Sequence, residues 1–300
     1  MKISSLLYFA GFALKTIIFK KRNPILGTVI VTDKCNLTCK HCSVNNIHAI
    51  LAPYKQIREE METLYRMGAR ILFLCGGETF LWQEGERTLK NLVVEAKEMG
   101  FLLVNVVTNG TQSIDLPQAD LILLSLDGDR ERHNAIRGET YDTIMENISK
   151  ATRDNICFYM AINQINKGAI DHVCQLAHQL ENVRAVSFNF HTPYPDTREL
   201  ALSREDKIQA CQEIKRQMDM GRPIFNLKGA LPYLVDNSFS TPCHQCLVIE
   251  NGKVSTCGRC IEIPGLCQEC GYFFVAEYSL LFQGKLSIMW EMLTTYLKYI

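Results

Sequence analysis

Thr28-Val29-Ile30-Val31-Thr32, followed by Asp33-Lys34-Cys35-Asn36-Leu37-Thr38-Cys39-Lys40-His41-Cys42, is the stretch on which the fold turns. Five β-branched residues in succession predict a strand. The cysteines behind it, spaced C-x3-C-x2-C, predict a metal-binding loop. Thiolates this close in sequence repel one another and resist burial unless a metal neutralises them.

Working outward, the same unit recurs: a short apolar run closed by polar or glycine residues, then a helical segment. Residues 54–67, 84–99, 141–152 and 170–180 read as helices, the second ended by Gly100. Residues 28–32, 70–74, 101–108, 121–126, 156–163 and 183–190 read as strands. Strands alternating with helices imply right-handed βαβ units and a parallel sheet. Six units are too few for a closed eight-stranded barrel, so the expected class is α/β, a partial (βα)6 barrel. In such folds the chemistry gathers on the loops after the strands. Those loops carry the cysteine group, Gly76-Gly77-Glu78, Asn109-Gly110-Thr111, Ser125-Leu126-Asp127-Gly128, Asn163 with Asn166, and His191-Thr192. Plain turn residues would fall at both ends of each unit, so this asymmetry points to one shared site.

Composition bounds the function. Of 300 residues, 47 % are apolar and 21 % charged, which excludes disorder and low complexity. Lys plus Arg and Asp plus Glu both number 32, so no global basic field exists to hold nucleic acid, and none is expected as a partner. The chain has 13 cysteines, an odd count in a protein large enough to bury a core without disulfides. A reducing, cytoplasmic setting is expected. Cys75, Cys157, Cys174 and Cys211 are scattered and read as core.

The three thiols of the first group suit a [4Fe–4S] cluster with one iron left without a protein ligand. Zinc is the alternative, but a structural zinc takes four ligands, and His41 would serve only if the loop folded back. Cys243, Cys246, Cys257, Cys260, Cys267 and Cys270 form a second group of three C-x2-C pairs. Two fully cysteine-ligated clusters need about eight thiolates. One cluster with spare thiols, two with open positions, or one cluster plus zinc all remain consistent with six.

The ends are apolar. Ile3, Leu6, Leu7, Ala10, Ala13, Leu14, Ile17 and Ile18 fall on one arc of a helix. Lys2, Ser4, Ser5, Lys15, Thr16 and Lys20 fall on the other, with Phe9, Phe12 and Phe19 intruding, and Lys20-Lys21-Arg22 follows. This predicts an amphipathic helix peripheral to the inner face of a membrane, with a helix packed on the protein's own surface as the alternative. Residues 286–300 read as a helix docked on the core. The expected organisation is 1–23 amphipathic helix, 24–225 partial barrel, and 226–300 a small Cys-rich extension plus the C-terminal helix.

Cys35-Asn-Leu-Thr-Cys39-Lys-His-Cys42, Gly76-Gly77-Glu78 and Ser125-Leu126-Asp127-Gly128, followed by His133-Asn-Ala-Ile-Arg137-Gly138, resemble the motifs of the radical S-adenosylmethionine (radical SAM) superfamily, over about residues 25–225. The resemblance implies an enzyme. Cys35, Cys39 and Cys42 would hold three irons, and the fourth would chelate SAM. Glu78 and the backbone of Gly76 and Gly77 would meet the SAM amino group. Ser125, Asp127, Arg137 and Asn163 would contact its other polar groups, turn and cap roles being the alternative. One electron from a reductase, flavodoxin or ferredoxin would cleave SAM to methionine and a 5′-deoxyadenosyl radical. Cys246, Gly252 and Cys257, spaced C-x5-G-x4-C, resemble the opening of the SPASM auxiliary-cluster extension, although Cys260, Cys267 and Cys270 follow without its usual gap. At least one auxiliary iron–sulfur cluster is therefore expected, with zinc as the alternative.

The substrate reading has two branches. The apolar N-terminal segment resembles, loosely, that of the radical SAM adenosyltransferase of hopanoid synthesis, and only about 27 residues precede the first strand. On that ground a membrane lipid or isoprenoid substrate is preferred. A SPASM-type peptide or protein maturase is the alternative, and a non-catalytic iron–sulfur or zinc scaffold is a third reading.

Overall fold

The computed structural model describes residues 3–42 and 48–300. Lys2, expected on the polar side of the first helix, lies outside the described residues. The first half runs α1 (Ile3–Phe19), β1 (Leu26–Thr32), α2 (Tyr54–Met67), β2 (Ile71–Gly76), a ribbon of β3 (Gln83–Glu84) and β4 (Arg87–Thr88), α3 (Leu89–Glu98), β5 (Leu103–Thr108) and β6 (Leu121–Ser125). It continues with α4 (Arg130–Arg137), α5 (Tyr141–Ser149), β7 (Ile156–Ile162), α6 (Ile170–Gln179), β8 (Val183–Phe190), α7 (Arg204–Asp219) and the single turn α8 (Leu231–Leu234). Last come β9 (Cys246–Glu250), β10 (Lys253–Thr256), α9 (Phe273–Phe282) and α10 (Leu286–Tyr299).

One sheet organises the chain, in the order β10-β9-β1-β2-β5-β6-β7-β8. The six strands expected from the sequence are parallel neighbours in chain order, the arrangement of a partial barrel. The helix expected over 84–99 begins five residues late. Gly85, at φ +59°, turns the chain into the ribbon, and Thr88 with Asn91 then caps α3 in a capping box. The hairpin β9–β10 was not expected; it adds β9 parallel to β1, pairing Leu26 with Cys246 and Val29 with Ile249.

The sheet's two faces differ. Val29, Val31, Leu72 and Leu74 point outward and are fully buried under Ile57, Met61 and Leu64 of α2 and Leu92 and Val93 of α3. Phe158, Met160 and Val186 do the same under α6 and α7. Their inward-facing neighbours Thr28, Ile30, Phe73, Cys75, Leu123 and Tyr159 are only partly buried. The inside of the half barrel therefore admits water. Cys157, Cys174 and Cys211 are buried as expected, whereas Cys75 faces this interior.

The C-terminal extension covers both edges of the half barrel. β9 closes the β1 edge. At the β8 edge, Phe190 N–H donates to Gly271 O at 2.9 Å and Phe273 N–H to Asn189 Oδ1 at 2.9 Å. A Cβ on Gly271 would lie 2.0 Å from Phe190 O, so only glycine allows this approach. Farther down β8, Asn226 bonds both backbone groups of Phe188, and its amide also donates to Glu277 Oε1 of α9. Capping edges in this way removes unpaired strand groups from solvent.

Glu277 is buried, and that burial raises its carboxyl to about pH 7 against the hydrogen bonds of Leu227 N–H and Asn226. A raised carboxylate pKa gives stability that is full below the unfolded value and is lost as pH rises through the folded one. Glu277→Gln keeps the acceptor oxygen without the charge. Thermal denaturation is expected to show the variant stabilised at pH 8 and nearly unchanged at pH 5.

Candidate active site

The cysteine loop leaves the C-terminal end of β1 and is closed at its base. Asp33 accepts His48 N–H and Ile50 N–H, both at 2.6 Å. Thr32 Oγ1 donates to Ile50 O at 2.7 Å and accepts Lys34 N–H at 3.0 Å. The exit of β2 crosses this base. Gly77 N–H donates to Thr32 O at 2.8 Å, and Glu78 N–H to Lys34 O at 2.9 Å. A Cβ on Gly76 would lie 2.0 Å from Thr32 O, and one on Gly77 2.3 Å from Lys34 O. Both glycines thus serve close approach of the chain to itself.

The Glu78 carboxylate is wholly buried and engaged. It accepts Phe80 N–H at 3.0 Å and Thr108 Oγ1–H at 2.7 Å on one oxygen, and Asn109 N–H at 2.6 Å on the other. Burial raises its pKa while these donors hold it down. Its role here is to clamp the exit of β5 to the exit of β2. Asn109 then reaches the cysteine loop: Nδ2 donates to Asn36 Oδ1 at 2.9 Å and lies 3.7 Å from Cys35 Sγ. Asn36 Nδ2 donates to Thr111 Oγ1 at 2.7 Å.

A second clamp comes from α4, a helix that the sequence reading missed. Asp129 caps it, accepting Arg132 N–H at 3.0 Å. Ile136 O accepts Lys40 N–H from the cysteine loop at 3.0 Å. Arg137 is buried beside Asp127, with Nη1 3.8 Å from Cys39 Sγ and Nη2 3.3 Å from His41 Nε2. Burial alone would raise the Asp127 carboxyl, but the Arg137 guanidinium keeps it below its ordinary value. Asp127 also accepts Ala161 N–H at 3.1 Å, and its own N–H donates to His133 Nδ1 at 3.2 Å. Burial lowers His41 to about 4, so its ring is neutral at pH 7.

The predicted residues thus divide. Gly76, Gly77, Glu78, Asp127 and Arg137 gather around the cysteine loop and hold it. Ser125 ends β6 on the inner face of the sheet. Asn163 closes its own turn, accepting Ile165 N–H at 2.9 Å and donating to Ala161 O at 3.1 Å. The contacts of Asn163 are those of the turn-and-cap reading. Asp33, Asn36 and Asn109 were missed as supports; each is a short polar side chain next to a motif, the residue type that ties loops to backbone.

The donor sets suit soft metal centres. Cys35, Cys39 and Cys42 are electrostatic neighbours, and burial lifts the Cys35 thiol and carries Cys39 up to about 11. Such thiols stay protonated at pH 7 unless a metal displaces the proton. Leu37 N–H, 3.4 Å from Cys35 Sγ, and Arg137 then offer positive charge to the thiolates. The six C-terminal cysteines form one group. Cys257 sits among them at φ +62°, a left-handed conformation costing on the order of 1 kcal/mol for a non-glycine residue. Its sulfur is hydrogen-bonded by the Cys243 and Cys260 thiols, which lowers its pKa and raises theirs. Cys246, Cys267 and Cys270 complete the neighbourhood. Among the described residues no three His, Cys, Asp or Glu side chains converge on a single-ion site.

A thiol-rich loop on the first strand of a half barrel, braced by the loops of the next strands, defines a class of enzyme. The family model of the radical SAM superfamily matches residues 29–177, from β1 into α6, and this span is a radical SAM enzyme domain. Among curated relatives, the chain is 29 % identical over 181 residues to the sporulation killing factor maturation protein SkfB of Bacillus subtilis, covering 55 % of this chain and 42 % of that protein. It is 24 % identical over 230 residues to the subtilosin biosynthesis protein AlbA of B. subtilis, covering 70 % and 49 %. It is 26 % identical over 188 residues to 7,8-dihydro-6-hydroxymethylpterin dimethyltransferase of Methanocaldococcus jannaschii, covering 56 % and 36 %. The matches span half or less of these relatives' lengths. In fold, the chain is similar to Streptococcus suis SuiB bound to S-adenosylmethionine, with a TM-score of 0.63, 13 % identity, and coverage of 90 % of this chain and 66 % of SuiB. The comparisons lend no support to the hopanoid-enzyme likeness.

The clamp role of Glu78 is testable. Glu78→Gln turns one acceptor into a donor facing buried donors, and an unsatisfied buried group of this kind costs about 1–3 kcal/mol. Denaturation is expected to show that loss, with lower iron retention by the anaerobically reconstituted variant.

Proposed function

We propose that this chain is a radical SAM enzyme that modifies a peptide or protein. In this reading Cys35, Cys39 and Cys42 hold a [4Fe–4S] cluster that binds SAM. Cys243, Cys246, Cys257, Cys260, Cys267 and Cys270 hold at least one auxiliary iron–sulfur cluster. When bound, the cluster and SAM supply reductive one-electron chemistry that generates a carbon radical. The chain's own residues do the rest. Leu37 N–H, Asn109 and Arg137 direct positive charge at two of the three sulfurs and favour the thiolate forms that ligation needs. Glu78 and Asp127 fix the loop from two sides. The water-accessible inner face of the sheet receives the substrate.

One observation carries the peptide reading: the Cys-rich extension is built into the barrel, covering the β1 edge with β9 and the β8 edge with Gly271 and Phe273. The second thiol group therefore belongs to the catalytic unit rather than to an appended ribbon. SkfB and AlbA are named for the maturation and biosynthesis of peptides, and SuiB is described bound to its precursor peptide SuiA. This replaces the lipid or isoprenoid substrate preferred from the sequence, which the comparisons do not support.

Iron and sulfide per chain, measured on anaerobically reconstituted protein, are expected near eight irons, two cubane clusters' worth. Cys39→Ala is expected to abolish SAM cleavage. Cys243→Ala is expected to leave SAM cleavage in place and impair turnover of a peptide substrate. Zinc without iron would favour the scaffold reading, and undiminished deoxyadenosine from Cys39→Ala would overturn the assignment of SAM cleavage to the first cysteine loop.

A further inference from the structure

The end of the barrel away from the cysteine loop carries two outward-facing apolar stripes. α1 packs inward through Phe9 and Phe12, the latter 6.0 Å from the Phe282 ring, with Ser5 and Thr16 buried. These are the residues the sequence placed on the polar side. Part of the apolar arc consequently faces out: Leu7, Leu14 and Ile18 are 70, 55 and 60 % exposed, while Ala13 and Ile17 are half-buried. In α10, Ile288 and Tyr299 face the core, while Leu286, Trp290, Leu293 and Leu297 form an exposed stripe one helical face wide. Between the stripes runs an apolar groove of about 360 Å³, lined by Phe9, Phe12, Tyr278, Met289, Met292 and Tyr296. Exposed apolar surface this continuous marks a docking face.

Charge identifies what docks there. No Asp or Glu occurs from Met1 through Thr32, while Lys15, Lys20, Lys21 and Arg22 are exposed at and beyond the C-terminal end of α1. The lone acid of α10, Glu291, is engaged by Gly229 N–H at 2.9 Å. A twofold pairing through this face would bring two basic rims together. Trp290 and Tyr8 stand exposed, as aromatic residues do at a membrane interface. No described helix is long and apolar enough to cross a membrane. We propose that α1 and α10 together dock the protein on an anionic bilayer, with Leu7, Leu14, Ile18, Trp290 and Leu297 entering the acyl boundary and Lys20, Lys21 and Arg22 meeting the headgroups.

The geometry also sets orientation. Ile25 and Ile71, at the N-terminal ends of β1 and β2, line the groove, whereas the cysteine loop leaves the opposite ends of the strands. At about 3.3 Å per residue, a strand of this length holds the two roughly 20 Å apart. The docked enzyme opens its site toward water, so its substrate arrives from the aqueous side. This inference stands independently of the substrate class proposed above.

The two tryptophans make the test direct, because Trp82 is 1 % exposed and Trp290 is 67 % exposed. The full chain is mixed with vesicles of phosphatidylcholine, with or without phosphatidylglycerol, carrying brominated acyl chains. The expected result is a blue shift and bromine quenching of Trp290 with the anionic vesicles. Neutralising all three basic residues (K20Q, K21Q and R22Q) should weaken partitioning roughly a hundredfold. Leu14→Glu with Ile18→Glu should lose it while circular dichroism stays native. Absence of quenching in the unmutated chain would overturn the proposal without reference to any variant. Equal quenching by pure phosphatidylcholine would overturn the anionic assignment. A dimer by sedimentation with Trp290 shielded before any vesicle is added would assign the face to a second copy.

Discussion

Two backbones meet with nothing between them where the exit of β2 crosses the exit of β1. Gly76 and Gly77 leave no room for a side chain against Thr32 and Lys34. That contact fixes where the cysteine loop begins. Glu78 then sits where its carboxylate can bind the exit of β5, and Asn109 passes the constraint back to Asn36 and Cys35. Arg137 and Asp127 repeat the arrangement from the α4 side. A loop rich in thiols has little packing of its own. It is held by hydrogen bonds from three neighbouring strand exits, each buried enough for a lost partner to be costly.

The strands were legible because their outward faces are uninterrupted β-branched and aliphatic runs, and Val183–Phe190 falls where its pattern puts it. Boundaries set by local turn chemistry were less so. Apolar spacing alone extended α3 back to residue 84, across Gly85 and its left-handed turn. α4 was hidden because Arg130–Arg137 has few apolar residues, and its start is signalled only by the Asp129 cap. β9 could not be read at all, since a strand added to a sheet edge from the far end of the chain leaves no mark in local periodicity. Motif positions were legible, but the bonds that brace them were not: Glu78 reaches Phe80, Thr108 and Asn109, and Asn163 closes its own turn.

The N-terminal helix shows the same limit in another form. Its apolar arc was visible, but which arc meets the protein depends on the partner. Phe9 and Phe12 face in, and Phe12 meets the Phe282 ring edge-on. The segment packs on the protein's own surface, as the alternative for it had it, and still presents an apolar stripe. The molecule has two chemically distinct ends, one polar and thiol-rich, the other apolar and basic.

The closure of the barrel edges has a consequence for how the chain comes to be folded. β1 is made early and β9 late, yet they are hydrogen-bonded neighbours. Until residues 246–250 have emerged β1 presents an open edge, and the end of β8 at Phe190 waits for Gly271, so the half barrel is a template for pairing with other chains. Contacts this distant in sequence also form slowly. The first thiol loop is complete well before that closure and the second group only with it. Synthesis therefore imposes an order in which the first thiol loop can mature inside an unfinished barrel, while the second thiol group assembles in the step that seals it.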